Sequence, residues 1–372
     1  MKILELTGQT SYIPFPNNEF QSRIVTCLSL RIDGKNRLWL LDYANHGFGG
    51  KPKLFGFTLD SIDGDGHKYD ELAVEYTFPP EVAGKGSMLN DFVIDISANY
   101  IYIVDTSILG MNPGLIVYSV QHDEAYRLLS GHKSMFGESL FMNIMGNIIS
   151  LGPFGLKVNI DSVALDRNGN NLYYGAVTSD AMYEISTAHL LSAVHRLQNY
   201  NRNVLTKAEN EVFGSDVSLL DVKKPLSDGL SSDDEGNIWI TGIEQGALFI
   251  ARPTNRNHNN DNNNDNNNNN KTINNLETSE TKTALEGKPV NSVYKFVRRS
   301  YEILKVIECR QLLRWPDGLS FGPDGLYITN SALHINFGRL GKLSDFAPFH
   351  ILRIKKQDLR GIVGMHLPVA GQ

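Results

Sequence analysis

Along the chain an apolar strand, an aspartate, a short turn usually carrying glycine, and a second strand holding an aromatic follow one another repeatedly. Copies run from Leu28 to Asp42, Asn90 to Asp105, Asp161 to Tyr174, Asp228 to Thr241 and Asp317 to Asn330. Asp and Asn bond backbone amides two residues on, and Gly takes positive φ without steric cost. Asp166-x-x-Gly169 and Asp233-x-x-Gly236 therefore predict type I turns closed by glycine. With short β-prone flanks, each copy predicts a hairpin of a mostly buried sheet. Trp39, Tyr102, Tyr173, Trp239 and Tyr327 recur inside the second strand, where they predict packing between neighbouring sheets.

Small sheets that cannot bury both faces alone stack radially, so the pattern predicts an all-β propeller in one domain over residues 1–372. Five copies are plain. A sixth blade would come from the remaining strands with the two chain ends meeting, and the pattern by itself leaves five or seven open. The last interval is lengthened by a polar insert, Arg252 to about Asn291, that contains the run Asn257–Asn270. Such a tract buries too little apolar surface to offset its ordering entropy. It is expected to be a disordered loop over 252–291, between strand-like Gly246–Ala251 and Ser292–Arg298. Thr187–Asn199 has helical apolar spacing after a Ser/Thr start, and predicts a short helix on an outer connection.

Composition narrows the function classes. With a net charge of −6 and no basic run longer than two residues, no nucleic-acid partner is expected. No stretch suits a membrane span, and Met1–Thr10 shows no apolar leader, which predicts a cytoplasmic protein. Cys27 and Cys309 are too few for a disulfide framework and read as buried free thiols. A Walker-type phosphate loop and an H-E-x-x-H zinc motif are both absent.

Residues Ser22–Gly47, Leu89–Ser107, Gly114–Val120, Val163–Leu190 and Trp315–His334 resemble the Yellow / major royal jelly protein family. The segment WPDGLSFGPDG is most similar to its bacterial branch, described as dopachrome tautomerase-related. The resemblance implies a six-bladed β-propeller that binds a small aromatic amine or catechol-derived ligand at its central channel, with a possible tautomerase activity. Many members are secreted, so it also implies an extracellular location as the alternative. More distantly the repeats are similar to gluconolactonase / regucalcin-like propellers, which bind a divalent metal at the channel mouth. Their pattern is an acid in the first repeat, Asn in the second and third, and Asp in the fourth. Asn90 and Asp228 match, Asp161 puts a carboxylate in place of an amide, and Cys27 or Leu28 stands where the first acid would be. This implies Asn90, Asp161 and Asp228 as ligands of Ca²⁺ or Mg²⁺.

In a propeller, equivalent residues converge near the axis, so Asn90, Asp161, Asp228 and Asp317 form the expected ligand-binding ring. Close carboxylates repel and require a cation, a proton or donors. Three readings stay open: a hard divalent cation, an organic cation such as an amine near aromatics, or aspartates capping the amides of adjacent loops. His46 and His334 follow the second strands of their repeats and are the candidates for acid–base work. Their distance from the ring stays open, since second-strand ends are expected on the face opposite first-strand ends or near a loop that folds back. The corresponding functions are an isomerase or small-molecule binder, a metal-dependent lactonase or hydrolase, and a non-enzymatic scaffold. Oligomeric state is not legible.

Overall fold

The computed structural model describes residues 3–5, 14–62, 68–97, 99–254, 300–331, 333–335 and 350–363. These residues form six antiparallel sheets, five of four strands and one of three. Each repeat supplies the two inner strands of one four-stranded sheet. The five innermost strands are Cys27–Ile32, Leu89–Asp95, Ile160–Leu165, Leu230–Ser232 and Pro316–Gly322. Each pairs with the second strand of its own repeat, as the hairpin pattern requires. The chain ends meet: Ile3–Glu5 pairs with His350–Lys355 as the outermost strand of the fifth sheet.

Local chemistry explains the hairpins. The amides of Asn36, Gly169 and Gly236 each bond the carbonyl of the turn aspartate three residues back, at 3.0–3.2 Å. All three closing residues have positive φ, 56°, 71° and 82°, which favours Gly or Asn there. The aspartates also hold the following aromatic. Asp33 accepts from the Trp39 indole at 3.0 Å, Asp233 from Trp239 at 2.8 Å, and Asp324 from the Tyr327 hydroxyl at 2.7 Å. Two of the recurrent aromatics, the fully buried Trp39 and Trp239, thus pack between sheets and close their own turns as well.

Successive sheets meet through separate apolar seams. Trp39, Leu41, Ile101 and Ile103 join the first to the second. Tyr102, Val117, Val163 and Tyr174 join the second to the third. Ala164, Tyr173, Leu230 and Ile240 join the third to the fourth. Trp239, Leu248, Leu319 and Ile328 join the fourth to the fifth. On its other side the first sheet is covered by Phe20, against Leu40, Phe55 and Phe57. The architecture is the propeller-type all-β fold that the repeats predict.

The sixth sheet, Met142–Ile144, Asn147–Leu151 and Phe154–Gly155, lies between the second and third sheets in sequence. Its buried face, Met142, Ile144 and Ile149, packs on Val177, Ile243 and Trp315. The Asn143 amide donates to Glu244 at 2.7 Å, so this sheet reaches the loops of the third, fourth and fifth sheets. Phe141, Ile148 and Phe154 stay exposed.

The helix Thr187–Asn199 forms as expected, burying Leu190, Ala193, Val194 and Leu197 against the seam of the second and third sheets. A second helix, Lys207–Gly214, carries a Thr206/Glu209 capping box that the sequence displays and the pattern reading passed over. Arg252, the expected start of the insert, lies within the strand Ala247–Thr254. Residues 255–299 lie outside the described residues, and with them the strand-like Ser292–Arg298. Both cysteines are free, but not buried as expected: Cys27 is exposed and Cys309 half-buried. The Cys27 sulfur is nonetheless desolvated beside Asp42, which pushes its thiol up to about 11.

Candidate functional site

Four inner strands break register at one equivalent place. The shift falls between Cys27 and Ser29, Leu89 and Phe92, Ile160 and Ser162, and Pro316 and Leu319. A bulge leaves residues out of the ladder and re-aims their side chains. The bulged residues are Leu28, Asn90–Asp91, Asp161 and Asp317–Gly318. In the fourth sheet pairing starts at Leu230, leaving Asp228 and Gly229 ahead of the strand. Their amides donate to Thr241 Oγ1 at 3.2 and 2.9 Å, and the Gly318 amide donates to Thr329 Oγ1 at 2.8 Å. The two Asp-Gly pairs are thus held by threonines of their second strands. A Cβ on Gly229 would stand 1.9 Å from the Asp317 carbonyl oxygen, so the fourth and fifth repeats touch backbone to backbone.

The expected ring residues come together. Asn90 Nδ2 donates to Asp161 Oδ1, which also accepts from Thr106 Oγ1 at 3.3 Å. Asp228 is the carboxylate that acts most strongly on Asp161, and the Trp315 indole donates to Asp228 Oδ2 at 2.5 Å. Asp161 is buried, while Asn90, Asp228 and Asp317 are half-buried. Burial, then the charges of Asp228, Asp317 and Asp91, hold the Asp161 carboxyl well above the usual carboxylate range. Burial, then Asp228 and Asp91, does the same to Asp317. Carboxylates gathered this way repel one another, and the low dielectric sharpens the repulsion. Asp91 is offset separately by Arg31, whose guanidinium grips it at 2.8 and 3.0 Å.

The histidines separate. Antiparallel pairing sets Asp42 opposite Cys27 and Asn330 opposite Pro316. Second-strand ends therefore lie at the same end as the ring, opposite first-strand ends. His334 is buried and lies parallel to Trp315, interplanar angle 2° and centroids 6.4 Å apart. It reaches the ring through that indole. Burial and Arg314 lower its basicity, and its Nδ1 is buried without a hydrogen bond. His46 packs edge-on to Tyr43 at 5.1 Å, and the carboxylate that faces it is Asp105. Asp105 is engaged by Arg127 at 2.8 Å, so His46 belongs to a different cluster.

Two residues beside the ring escaped the sequence reading. Trp315 precedes Asp317 by two residues, and only the fold turns its indole onto Asp228. Lys224 reads from sequence as half of a surface basic pair with Lys223, yet it is buried at 3% exposure. Its Nζ donates to Ala176 O at 2.8 Å, Ser227 Oγ at 3.0 Å and Pro225 O at 3.3 Å. Burial pushes it down to about 7, against the pull of Asp180, Asp228 and Asp161.

A cavity of about 640 Å³ opens at the far end of the same strands, lined by Arg31, Ile94, Leu165, Arg167 and Ser231 among others. Its aspartates are spent on turns: Asp33 on Trp39 and Arg37, Asp95 on Ser97, Asp166 on Asn170 and Asn171. Carboxylates without such turn partners lie at the ring, which is the better candidate. Among the described residues no helix is long and apolar enough to cross a membrane.

Comparison with known proteins bears on this geometry. Major royal jelly protein 2 of Apis mellifera is 28% identical over 198 residues, covering 48% of this chain and 39% of that protein. Protein yellow of Drosophila erecta is 23% identical over 261 residues, covering 65% and 44%. The chain thus spans less than half the length of these relatives. Among solved structures, a luciferin-regenerating enzyme superposes with a TM-score of 0.41 at 10% identity, covering 89% of this chain and 91% of that one. A calcium-binding protein, regucalcin, of Agrobacterium tumefaciens gives 0.39 at 11%, covering 93% and 94%. The family model described as major royal jelly protein matches residues 25–287, well over half of the chain, and the chain belongs to that family.

Proposed function

We propose that this protein binds a small aromatic amine or catechol-derived ligand at the carboxylate ring. The observation that carries the reading is the buried Asp161 facing Asp228 and Asp317, with the Trp315–His334 stack on Asp228. A protonated amine can supply the countercharge these carboxylates need, and ring faces suit an aromatic cation. The uptake releases a proton, so affinity rises with pH across the window in which Asp161 and Asp317 titrate. For a tautomerisable ligand, the Asp161–Asp228 pair can accept and return one proton, which would make the site an isomerase.

A divalent cation held by Asn90, Asp161 and Asp228 is the competing reading, with a lactonase-like hydrolase following from it. Ca²⁺ and Mg²⁺ take oxygen ligands only. Asn90 and Trp315 here turn N–H groups toward Asp161 and Asp228, so Asn90 would have to present its Oδ1 instead. Calorimetry with tyramine, and separately with Ca²⁺ and Mg²⁺, discriminates the readings. We expect tyramine binding that weakens about tenfold or more in Asp228→Asn, as loss of a charge-assisted contact requires. Divalent-cation binding abolished by that substitution, with no tyramine heat, would establish the hydrolase reading instead. Silence toward both probes would leave the scaffold.

A further inference from the structure

We propose that Lys224 is the positioning residue of this site: its ammonium clips the loop carrying Asp228 to the strand end behind Asp161. Its three short contacts divide between two elements. Ala176 ends the strand Asn171–Ala176 and pairs with Ile160, the residue directly before Asp161. Ser227 directly precedes Asp228, and its side chain is fully buried. One Nζ therefore ties the neighbour of one carboxylate to the neighbour of the other, across the third and fourth sheets. The Lys224 amide adds a bond to Asp180 O at 2.8 Å, fixing the root of the side chain.

The surroundings are shaped for this stem. A Cβ on Gly175 would stand 2.6 Å from Lys224 Cε, so the lysine runs over a residue that has no side chain. Three oxygen acceptors meet the three N–H donors of an ammonium. Asp161 and Asp228 face Lys224 from the ring and Asp180 from the adjoining loop. Lys223 is turned outward to Asp180 at 2.7 Å and offers no substitute. A buried lysine left without these partners would be costly, which makes the clip an all-or-none contact.

The inference rests on the ring being the ligand site, but its primary readout needs no ligand. The Trp315 indole bonds Asp228, so its exposure to acrylamide reports whether the Asp228 loop is in place. Trp39 and Trp239 are fully buried and give a constant background, subtracted with Trp315→Phe. In Lys224→Met, which keeps the stem and removes the donors, we expect Trp315 quenching to rise severalfold and tyramine affinity to fall about tenfold or more. Lys224→Arg should recover a large part of both. Gly175→Ala, which keeps the lysine and displaces its stem, should shift both readouts in the same direction, and it decides the matter if Lys224→Met does not fold. Folded Lys224→Met or Gly175→Ala protein with wild-type quenching overturns the proposal, even if thermal stability has dropped. Altered quenching in a protein that never binds tyramine supports the clip and overturns the ligand reading alone.

Discussion

Gly229 and Gly318 each follow a ring aspartate in the same Asp-Gly pair, yet alanine should be tolerated at only one of them. A Cβ at 229 would lie 1.9 Å from the Asp317 carbonyl oxygen and 2.8 Å from its carbon. Ordinary contact starts at 3.4 Å, so one of two backbones must retreat by about 1.5 Å. Both are pinned, Gly229 by Thr241 Oγ1 and Gly318 by Thr329 Oγ1. A Cβ at 318 meets only Thr329 Oγ1, at 3.1 Å, and a hydroxyl can turn away. Neither glycine has positive φ. Alanine therefore carries no backbone strain at either place, and it gains about 0.4–1 kcal/mol by restricting the unfolded chain. Overpacking against a fixed backbone costs about 1–3 kcal/mol or somewhat more, so Gly229→Ala should lose about 2 kcal/mol net. Gly318→Ala should stay within about 1 kcal/mol of wild type, as one hydrogen bond is traded for the entropic gain. Urea unfolding followed by tryptophan fluorescence, at unchanged m, measures both. Equal effects, or a Gly229→Ala loss below about 1 kcal/mol, would refute the close approach of the fourth and fifth repeats.

Two further outcomes follow from buried charge. Asp161 and Asp317 titrate above the unfolded carboxylate value, so their contribution is complete below that value and is lost as pH rises through the folded one. Unfolding free energy should decline as pH rises from about 4 through the range in which Asp161 and Asp317 titrate, and Asp161→Asn should flatten the decline. A wild-type slope in that variant would contradict the assignment. Arg127 and Asp105 form a buried pair at 2.8 Å, and Arg127 also donates to Val82 O and Asn112 O. Arg127→Met should cost about 3–5 kcal/mol, and adding Asp105→Leu should return part of it, because the single change strands a charge. Breaking the exposed Lys223–Asp180 pair should cost about 1 kcal/mol or less by the same denaturation assay.

The hairpins were legible because their causes lie within a dozen residues. Asp166 and Asp233 close turns with their own chain neighbours, and Thr187–Asn199 buries one helical face. The ring was partly legible for a related reason. Equivalent positions of a repeat must occupy equivalent places, so Asn90, Asp161 and Asp317 fall on matching bulges. How far His46 and His334 lie from the ring was not legible, because it depends on loops beyond the strand ends: His334 stacks on Trp315, while His46 packs on Tyr43.

The sequence by itself determined which residues form strands, where they turn, and which aspartates stand at strand starts, since each depends on side-chain alternation and local hydrogen bonding. It could not show that Asp161 and Asp228, from different sheets, face each other, or that Trp315 and Lys224 surround them. Nor could it tell Gly229 from Gly318, or a buried Lys224 from an exposed Lys223. Those distinctions join residues far apart in the chain, and they exist only once the apolar seams have fixed each sheet against the next. Burial in that assembly then raises two carboxyl groups and lowers a lysine, setting the ring aspartates apart from those that only close turns.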